Sequence, residues 1–263
     1  MSDFGVDVER RTDGVAWLVL RNPGKRNAVR LEMWQAIPEV LASLAADPAV
    51  RVIVLRGHGD QAFASGADIS EFTTHRRDAA SAAAYEAVTT RAFEALQTCE
   101  KPLVAMMQGV CIGGGLAIAI AADLRIAADD TVMALPPARL GLGYHHAGVE
   151  RVVAVVGPSS AAEMFFTARS YTAAEALAIG LVNRVVPKAE LVATTEAYVH
   201  GIADNAPLTI RAAKRAIAEV QRPPGERDPA AVTRLIAACF ESEDYTEGVR
   251  AFLEKRRPRF KGR

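Results

Sequence analysis

Three consecutive glycines, Gly113 to Gly115, constrain this chain more than any other feature. They follow an apolar run at Leu103–Met107 that has the length of a buried strand, and they precede a helix-forming, alanine-rich run at Leu116–Ala122. Glycines at a helix start leave backbone N–H groups open to a ligand, and the helix dipole adds partial positive charge there. The stretch therefore has two interpretations. It forms one half of an oxyanion hole, or its glycines serve only close helix packing, and its residues alone do not decide between these interpretations.

Composition narrows the class of protein. A chain of 263 residues, half of them hydrophobic, with 31 basic and 31 acidic residues, predicts one main domain with a small appendage and no nucleic-acid partner. No apolar run approaches the ~20 residues of a membrane-spanning helix, so we expect a cytoplasmic protein without a membrane partner. The cysteines Cys99, Cys111 and Cys239 lack C-x-x-C spacing and are expected to be small core residues.

Apolar patterning predicts strands that alternate with helices, which is typical of an α/β fold. The predicted strands are 15–20, with a hairpin partner before Thr12-Asp13-Gly14, and 50–56, 103–107, 124–128 and 131–135. The predicted helices are 31–45 with a kink at Pro38, most of 70–100, 159–168, 172–179, 194–205, 208–220, 229–241 and 246–255.

Five motifs occur in an order and spacing that resemble the crotonase (enoyl-CoA hydratase/isomerase) superfamily over essentially the whole chain. They are FASGADI at 63–69, KPLVAMMQG at 101–109, IGGGLAIAIAADLRIAA at 112–128, ARLGL at 138–142 and AFLEKRRPRF at 251–260. The resemblance implies a crotonase-type ββα spiral at 1–195 as the acyl-CoA-binding core. It also implies a C-terminal helical trimerisation region at 196–263 that assembles a homotrimer or hexamer. Coenzyme A is then part of the substrate, with no separate cofactor and no metal.

The same resemblance assigns residues to the ligand. The oxyanion hole would be formed by the backbone amides of Ser65 and Gly114. The loop 21–28 resembles the family segment that lies against coenzyme A, and the residues assigned to this part of the ligand are Lys25, Arg26, Ala28, Ala67, Asp68, Ile69, Phe252 and Lys255. Two basic residues in a loop can instead be merely solvated, the Asp68 carboxylate is expected to cap a helix, and the last two residues can belong to an interface helix.

The expected chemistry departs from that of the family. Hydratases of the superfamily carry one glutamate two residues past the glycine triplet and another twenty residues later, whereas this chain has Ala117 and Pro137 there. Two carboxylates activate water and protonate the α-carbon during hydration. Because alanine and proline cannot transfer protons, ordinary enoyl-CoA hydration is disfavoured.

A replacement acid or base is predicted in the loop that follows Gly141. Naphthoyl-CoA synthase carries aspartate at the position of Tyr144, and dienoyl-CoA isomerase and chlorobenzoyl-CoA dehalogenase carry it at that of His145. Imidazole titrates near neutrality, so His145 is the predicted general acid or base, with His146 or Tyr144 as its partner. Histidines packed structurally at a loop are the alternative. Two functions stay open: a His145-dependent isomerase, hydrolase or atypical hydratase, and a non-catalytic acyl-CoA-binding homologue.

Overall fold

The structure, a computed structural model, describes residues 3–11 and 13–263, and the strands within them form two sheets. The larger sheet has the strand order β1-β2-β3-β5-β7-β10 and the smaller one β4-β6-β8-β9. The larger sheet contains β1 (Gly5–Arg10), β2 (Val15–Arg21), β3 (Val52–Gly57), β5 (Leu103–Met107), β7 (Leu124–Ala128) and β10 (Arg184–Val186). The smaller sheet contains β4 (Ala62–Ala64), β6 (Val110–Ile112), β8 (Val132–Ala134) and β9 (Tyr171–Thr172).

Three successive turns of the chain each contribute one strand to each sheet, followed by a helix. The strand pairs β3–β4, β5–β6 and β7–β8 are followed by α3 (Ala79–Thr98), α4 (Gly114–Ala121) and α5 (His146–Thr167). Successive turns pair in parallel, β3 with β5 and β5 with β7 in one sheet, β4 with β6 and β6 with β8 in the other. This repeat confirms the predicted ββα spiral. The predicted hairpin of β1 and β2 is antiparallel, and Thr12 of its turn lies outside the described residues.

The remaining helices are α1 (Leu31–Ala46), α2 (Phe72–His75), α6 (Ala173–Ala178), α7 (Leu191–Ala203), α8 (Pro207–Gln221), α9 (Pro229–Phe240) and α10 (Glu243–Leu253). Helix α1 runs through Pro38 without a break, since buried residues on both sides of the proline, Ile37 and Leu41, pack into the same core. Helix α5 begins well before the predicted position 159. Its residue Gly157, with φ 76°, interrupts the helical dihedrals.

The larger sheet is buried on both faces, which is why its strands alternate poorly in sequence. On β2, Leu18 faces the core between the sheets and helices α1, α3 and α4, whereas its neighbour Trp17 faces a second core. Helix α7 supplies Leu191 and Val199 to that second core. The predicted division at residue 195 therefore falls inside a helix that packs on the spiral.

Two further expectations concern the cysteines and the membrane. Cys99 and Cys111 are buried and Cys239 is half-buried, and all three are free thiols. Among the helices in the described ranges, none is long and apolar enough to cross a membrane.

Helices α8 to α10 carry a surface of exposed apolar side chains. An apolar groove of about 680 Å³ runs between these helices. Exposed apolar residues on the three helices include Ile217, Val220, Phe240, Tyr245, Phe252 and Leu253. The segment after α10 is fastened to the spiral by Arg51, whose guanidinium donates to the carbonyl of Phe260 and, at 2.9 Å, to that of Ala203.

Candidate active site

The glycine triplet forms a tight turn that brings α4 against β4. Gly113 has φ 54° and ψ −122°, a conformation that side-chain-bearing residues avoid. A Cβ atom on Gly115 would lie 2.3 Å from the carbonyl oxygen of Ala64. Only glycine allows this approach, and it sets Gly114, the first residue of α4, beside the loop that follows β4.

The loop after β4 offers a different amide from the one predicted. The Ser65 N–H donates to the Arg26 carbonyl at 3.0 Å, so it is engaged within the protein. Val29 then pairs with the residues on either side of Ala67, accepting from Asp68 N–H at 3.0 Å and donating to the carbonyl of residue 66 at 2.7 Å. Within the described residues the Ala67 N–H has no acceptor. The prediction of Ser65 as first donor therefore does not fit, and Ala67 has the open amide.

The open amides of Ala67 and Gly114 are neighbours. A Cβ atom on Gly114 would lie 3.4 Å from the Ala67 nitrogen, and one on Gly66 would lie 3.8 Å from the Gly114 nitrogen. As the first residue of α4, Gly114 also lacks the carbonyl that amides further along a helix bind. Two N–H groups close together at a helix N-terminus are suited to an oxygen that carries developing negative charge.

The predicted coenzyme A loop packs against the segment after Ala67. Lys25 Nζ donates to the two Asp68 carboxylate oxygens at 2.9 and 3.0 Å and to Ser70 Oγ at 2.6 Å. Asp68 also accepts from the Ser70 N–H at 3.1 Å, which confirms that its carboxylate is a helix cap. Burial alone would raise the pKa of Asp68, but the hydrogen bonds from Lys25 and Ser70 outweigh it and the pKa is lowered. Lys25 thus already has an anionic partner.

The other residues assigned to coenzyme A lie in two places. Arg26 and Ile69 are exposed, whereas Ala28, which follows Arg26 and Asn27 in the chain, is buried. Phe252 lines the groove among the C-terminal helices and is 83% exposed. Lys255 follows α10 with a left-handed φ of 54°. Phe252 and Lys255 therefore belong to the C-terminal region of the chain.

The two positions of the missing glutamates hold no ionisable group. Ala117 lies in the second turn of α4 and Pro137 opens a short 3₁₀ turn, and both are half-buried. Within residues 3–11 and 13–263, no cluster of three or more His, Cys, Asp or Glu side chains is arranged to hold a metal ion. Neither Ala117 nor Pro137 can therefore transfer a proton.

The two loop histidines point to different carboxylates. His145 is the N-cap residue of α5, and its Nε2 lies 3.6 Å from Glu86 Oε1 on α3. The next residue, His146, has its Nε2 3.1 Å from Glu150 Oε1, one turn along α5, and is 85% exposed. His145 thus faces another element of the fold, whereas His146 lies along its own helix. Neither is buried.

Tyr144 anchors the loop. Its ring lies 4.9 Å from that of Phe165 on α5, and its Cε1 would be 2.6 Å from a Cβ atom on Gly148. Burial raises the pKa of its hydroxyl to about 12, so the side chain stays neutral at physiological pH. The structure brings Tyr144 and His145 together at the start of α5, but it packs the tyrosine into the helix surface.

Helix α3 supplies a residue that sequence reasoning missed. Glu86 lies 59 positions before His145 in the chain, on a helix whose exposed polar residues show no motif. The only signal in the sequence was the predicted helix over most of 70–100. The next residue back, Tyr85, faces Trp34 of α1, and the Trp34 indole packs against Gly114, where a Cβ atom would meet its Cζ2 at 3.2 Å. The α3 helix therefore joins the glycine turn to His145.

Comparisons with known proteins agree with this architecture. The family model for enoyl-CoA hydratase/isomerase matches residues 10–263. The chain is 31% identical to the crotonyl-CoA hydratase of Syntrophomonas wolfei over 95% of both chains. It is 34% identical to the carnitinyl-CoA dehydratase of Salmonella typhi over 91% of this chain and 92% of that one.

Solved structures give the same result. An enoyl-CoA hydratase/carnithine racemase of Magnetospirillum magneticum superposes with a TM-score of 0.94 and 33% identity, over 100% of this chain and 97% of that one. An enoyl-CoA hydratase/isomerase family protein of Hyphomonas neptunium has a TM-score of 0.93 and 36% identity over 98% of both. The chain therefore belongs to the enoyl-CoA hydratase/isomerase family, with the crotonase fold.

Proposed function

We propose that this protein binds acyl-CoA thioesters and catalyses a proton transfer at the α-carbon of the acyl group, without the two carboxylates that hydration uses. The observation that carries the proposal is the pair of neighbouring open amides, Ala67 and Gly114, at the N-terminus of α4. Relatives that match nearly the full chain bear names of enzymes acting on CoA thioesters, which supports the substrate class.

The amide pair accounts for the electrostatic part of the reaction. When the α-carbon loses a proton, negative charge moves onto the thioester oxygen, and two preorganised N–H donors stabilise it there. Removal of one such donor typically costs about 2.7–4 kcal/mol of transition-state stabilisation. The Ala67 amide replaces Ser65 as the first donor in this proposal, and Gly114 stays the second.

His145 is the proposed acid or base. Its imidazole lies next to Glu86 on α3, and α3 also packs above the glycine turn through its contact with Trp34. A carboxylate beside an imidazole can orient the ring and stabilise the imidazolium that forms when it takes a proton. His146 points along α5 instead, and Tyr144 holds the loop, so both are assigned supporting roles.

The proposal includes assembly of the chain with copies of itself. The exposed apolar side chains of α8 to α10, Phe252 among them, form a surface of the kind that marks a protein interface. Trimers or hexamers formed through this C-terminal region are the proposed assembly.

Binding and turnover are tested separately. Titration calorimetry with coenzyme A and short saturated acyl-CoAs measures binding, and mass spectrometry of the protein with saturated, enoyl, dienoyl and β-keto acyl-CoAs detects any product. Binding with at least one turned-over thioester supports the proposal. Absence of binding at millimolar thioester contradicts it entirely.

A non-catalytic acyl-CoA-binding role is the competing function, and the lack of an ionisable side chain at Ala117 and Pro137 is the observation that favours it. The outcome that selects it is tight binding without chemical change for every thioester in the panel. In that case the variants His145→Gln and His146→Gln should bind the thioesters as the wild type does and should likewise form no product.

A further inference from the structure

A polar pair buried beside the glycine turn contains hydrogens that no protein atom accepts. Trp34 of α1 and Tyr85 of α3 are 1% and 2% exposed, and within the described residues neither Trp34 Nε1 nor the Tyr85 hydroxyl has a hydrogen-bond partner. Burial has the largest effect on the Tyr85 hydroxyl and raises its pKa, whereas the Arg76 charge and the Trp34 N–H lower it. Buried polar groups are nearly always paired, so this couple needs an explanation.

A cation lies over one member of this pair, Tyr85. Arg76 lies on the short segment between α2 and α3. Its guanidinium is 4.3 Å from the centre of the Tyr85 ring and 4.5 Å from the centre of the Phe72 ring. Among the described residues no carboxylate oxygen comes within 4.0 Å of it. The nearby acids Asp68 and Glu71 already bind other cations. Arg76 is thus held by aromatic faces alone.

Trp34 connects the open amides to helix α3, which carries Tyr85. The Trp34 ring atom next to Gly114 is two bonds from Nε1, so the indole reaches from the proposed thioester site toward Tyr85. The residue after Tyr85, Glu86, contacts His145. Trp34 therefore lies beside the open amides, and Tyr85 lies on the helix that contacts His145. An indole N–H, a phenol and a guanidinium supply donors, and the matching acceptor-only group is a carboxylate.

We propose that Arg76, Tyr85 and Trp34 form a subsite for a carboxylate at the far end of the acyl group, so that the substrates are CoA thioesters of dicarboxylic acids. This inference rests on the acyl-CoA binding proposed above. Because the two polar atoms are buried, the Arg76 side chain must leave the Tyr85 ring for a carboxylate to enter. Arg76 follows the four-residue helix α2, on the segment that connects α2 to α3, so its side chain can move without displacing a long helix.

Paired saturated thioesters test the subsite without any need for turnover. Calorimetry compares succinyl- with butyryl-CoA, glutaryl- with valeryl-CoA and adipoyl- with hexanoyl-CoA, so that each pair has equal carbon number. At least one diacid thioester is expected to bind about tenfold or more tightly than its partner. Arg76→Met removes that preference and Tyr85→Phe weakens it. Arg77→Met is the matched control, because Arg77 is exposed and ion-paired with Asp78.

The outcomes separate the subsite from the proposed function. If every diacid thioester binds no tighter than its partner, the subsite is wrong while acyl-CoA binding stands. If Arg76→Met, with an unchanged melting curve, keeps the preference, Arg76 is not its source and the inference fails. If Arg76→Met does not fold, the test rests on the wild-type preference and on its weakening in Tyr85→Phe, and an unchanged preference in Tyr85→Phe overturns the inference. If none of the six thioesters binds, the proposed function fails and the subsite with it.

Discussion

Replacement of Gly115 by alanine tests the packing that creates the donor pair. A Cβ atom there would lie 2.3 Å from the Ala64 carbonyl oxygen and 2.7 Å from the Ala64 Cβ. Both atoms belong to β4 or are bonded directly to its backbone, so neither can rotate away, and overpacking of this kind costs about 1–3 kcal/mol. Alanine also gains up to about 1 kcal/mol in a helix interior relative to glycine, so the clash is partly masked in Gly115→Ala alone.

Gly201 provides the matched control. It lies inside α7 with nothing within 4 Å of a Cβ atom, so Gly201→Ala receives the helix gain without the clash. The helix contribution largely cancels between the variants, and their free energies of unfolding should differ by about 1–3 kcal/mol. Urea denaturation at one fixed protein concentration measures the difference. Equal stability of the two variants, or a more stable Gly115→Ala, refutes the close approach of α4 to β4.

Three further predictions follow from the site and its supports. Lys25→Met removes the main partner that lowers the pKa of Asp68. A carboxyl whose pKa is lower in the folded than in the unfolded chain stabilises the fold at pH values above its unfolded pKa. In urea titrations the wild type should therefore be more stable than Lys25→Met at neutral pH, and this difference should shrink below about pH 4. Glu71→Gln should destabilise by about 1–3 kcal/mol in the same titration, because Glu71 is buried, pairs with Arg30 at 2.7 Å and caps α1; a change under 0.5 kcal/mol would count against that role. Phe252→Asp should lower the sedimenting mass toward that of one chain, and an unchanged mass would remove Phe252 from the interface.

The ββα repeat was predictable because its signals are local. The apolar runs of β5 and β7 and the glycine triplet each specify their own element, and the structure confirms them. Boundaries were less secure. The helix predicted at 159–168 begins instead at His146, because the structure keeps helical residues on both sides of the interruption at Gly157.

The site was only partly predictable because its geometry depends on distant residues. The resemblance assigned Gly114 to the oxyanion hole, but the choice between the amides of Ser65 and Ala67 depends on Arg26. Its carbonyl, far from either residue in the sequence, accepts from the Ser65 N–H and leaves that of Ala67 open. The contact of Glu86 with His145 likewise joins α3 to the start of α5. The spacing of apolar residues in a sequence does not indicate which residue of a helix contacts a residue of a distant loop.

Exchange of the α-hydrogens of a bound thioester with deuterated water directly tests whether His145 transfers a proton at the α-carbon. A saturated acyl-CoA that binds in calorimetry is incubated with the protein in deuterated buffer, and mass spectrometry follows deuterium uptake at the α-carbon. We expect deuterium uptake with the wild type, uptake about 10²–10⁴-fold slower with His145→Gln, and little change in the uptake rate with His146→Gln. A bound thioester that takes up no deuterium, or that exchanges equally fast in His145→Gln, contradicts this expectation.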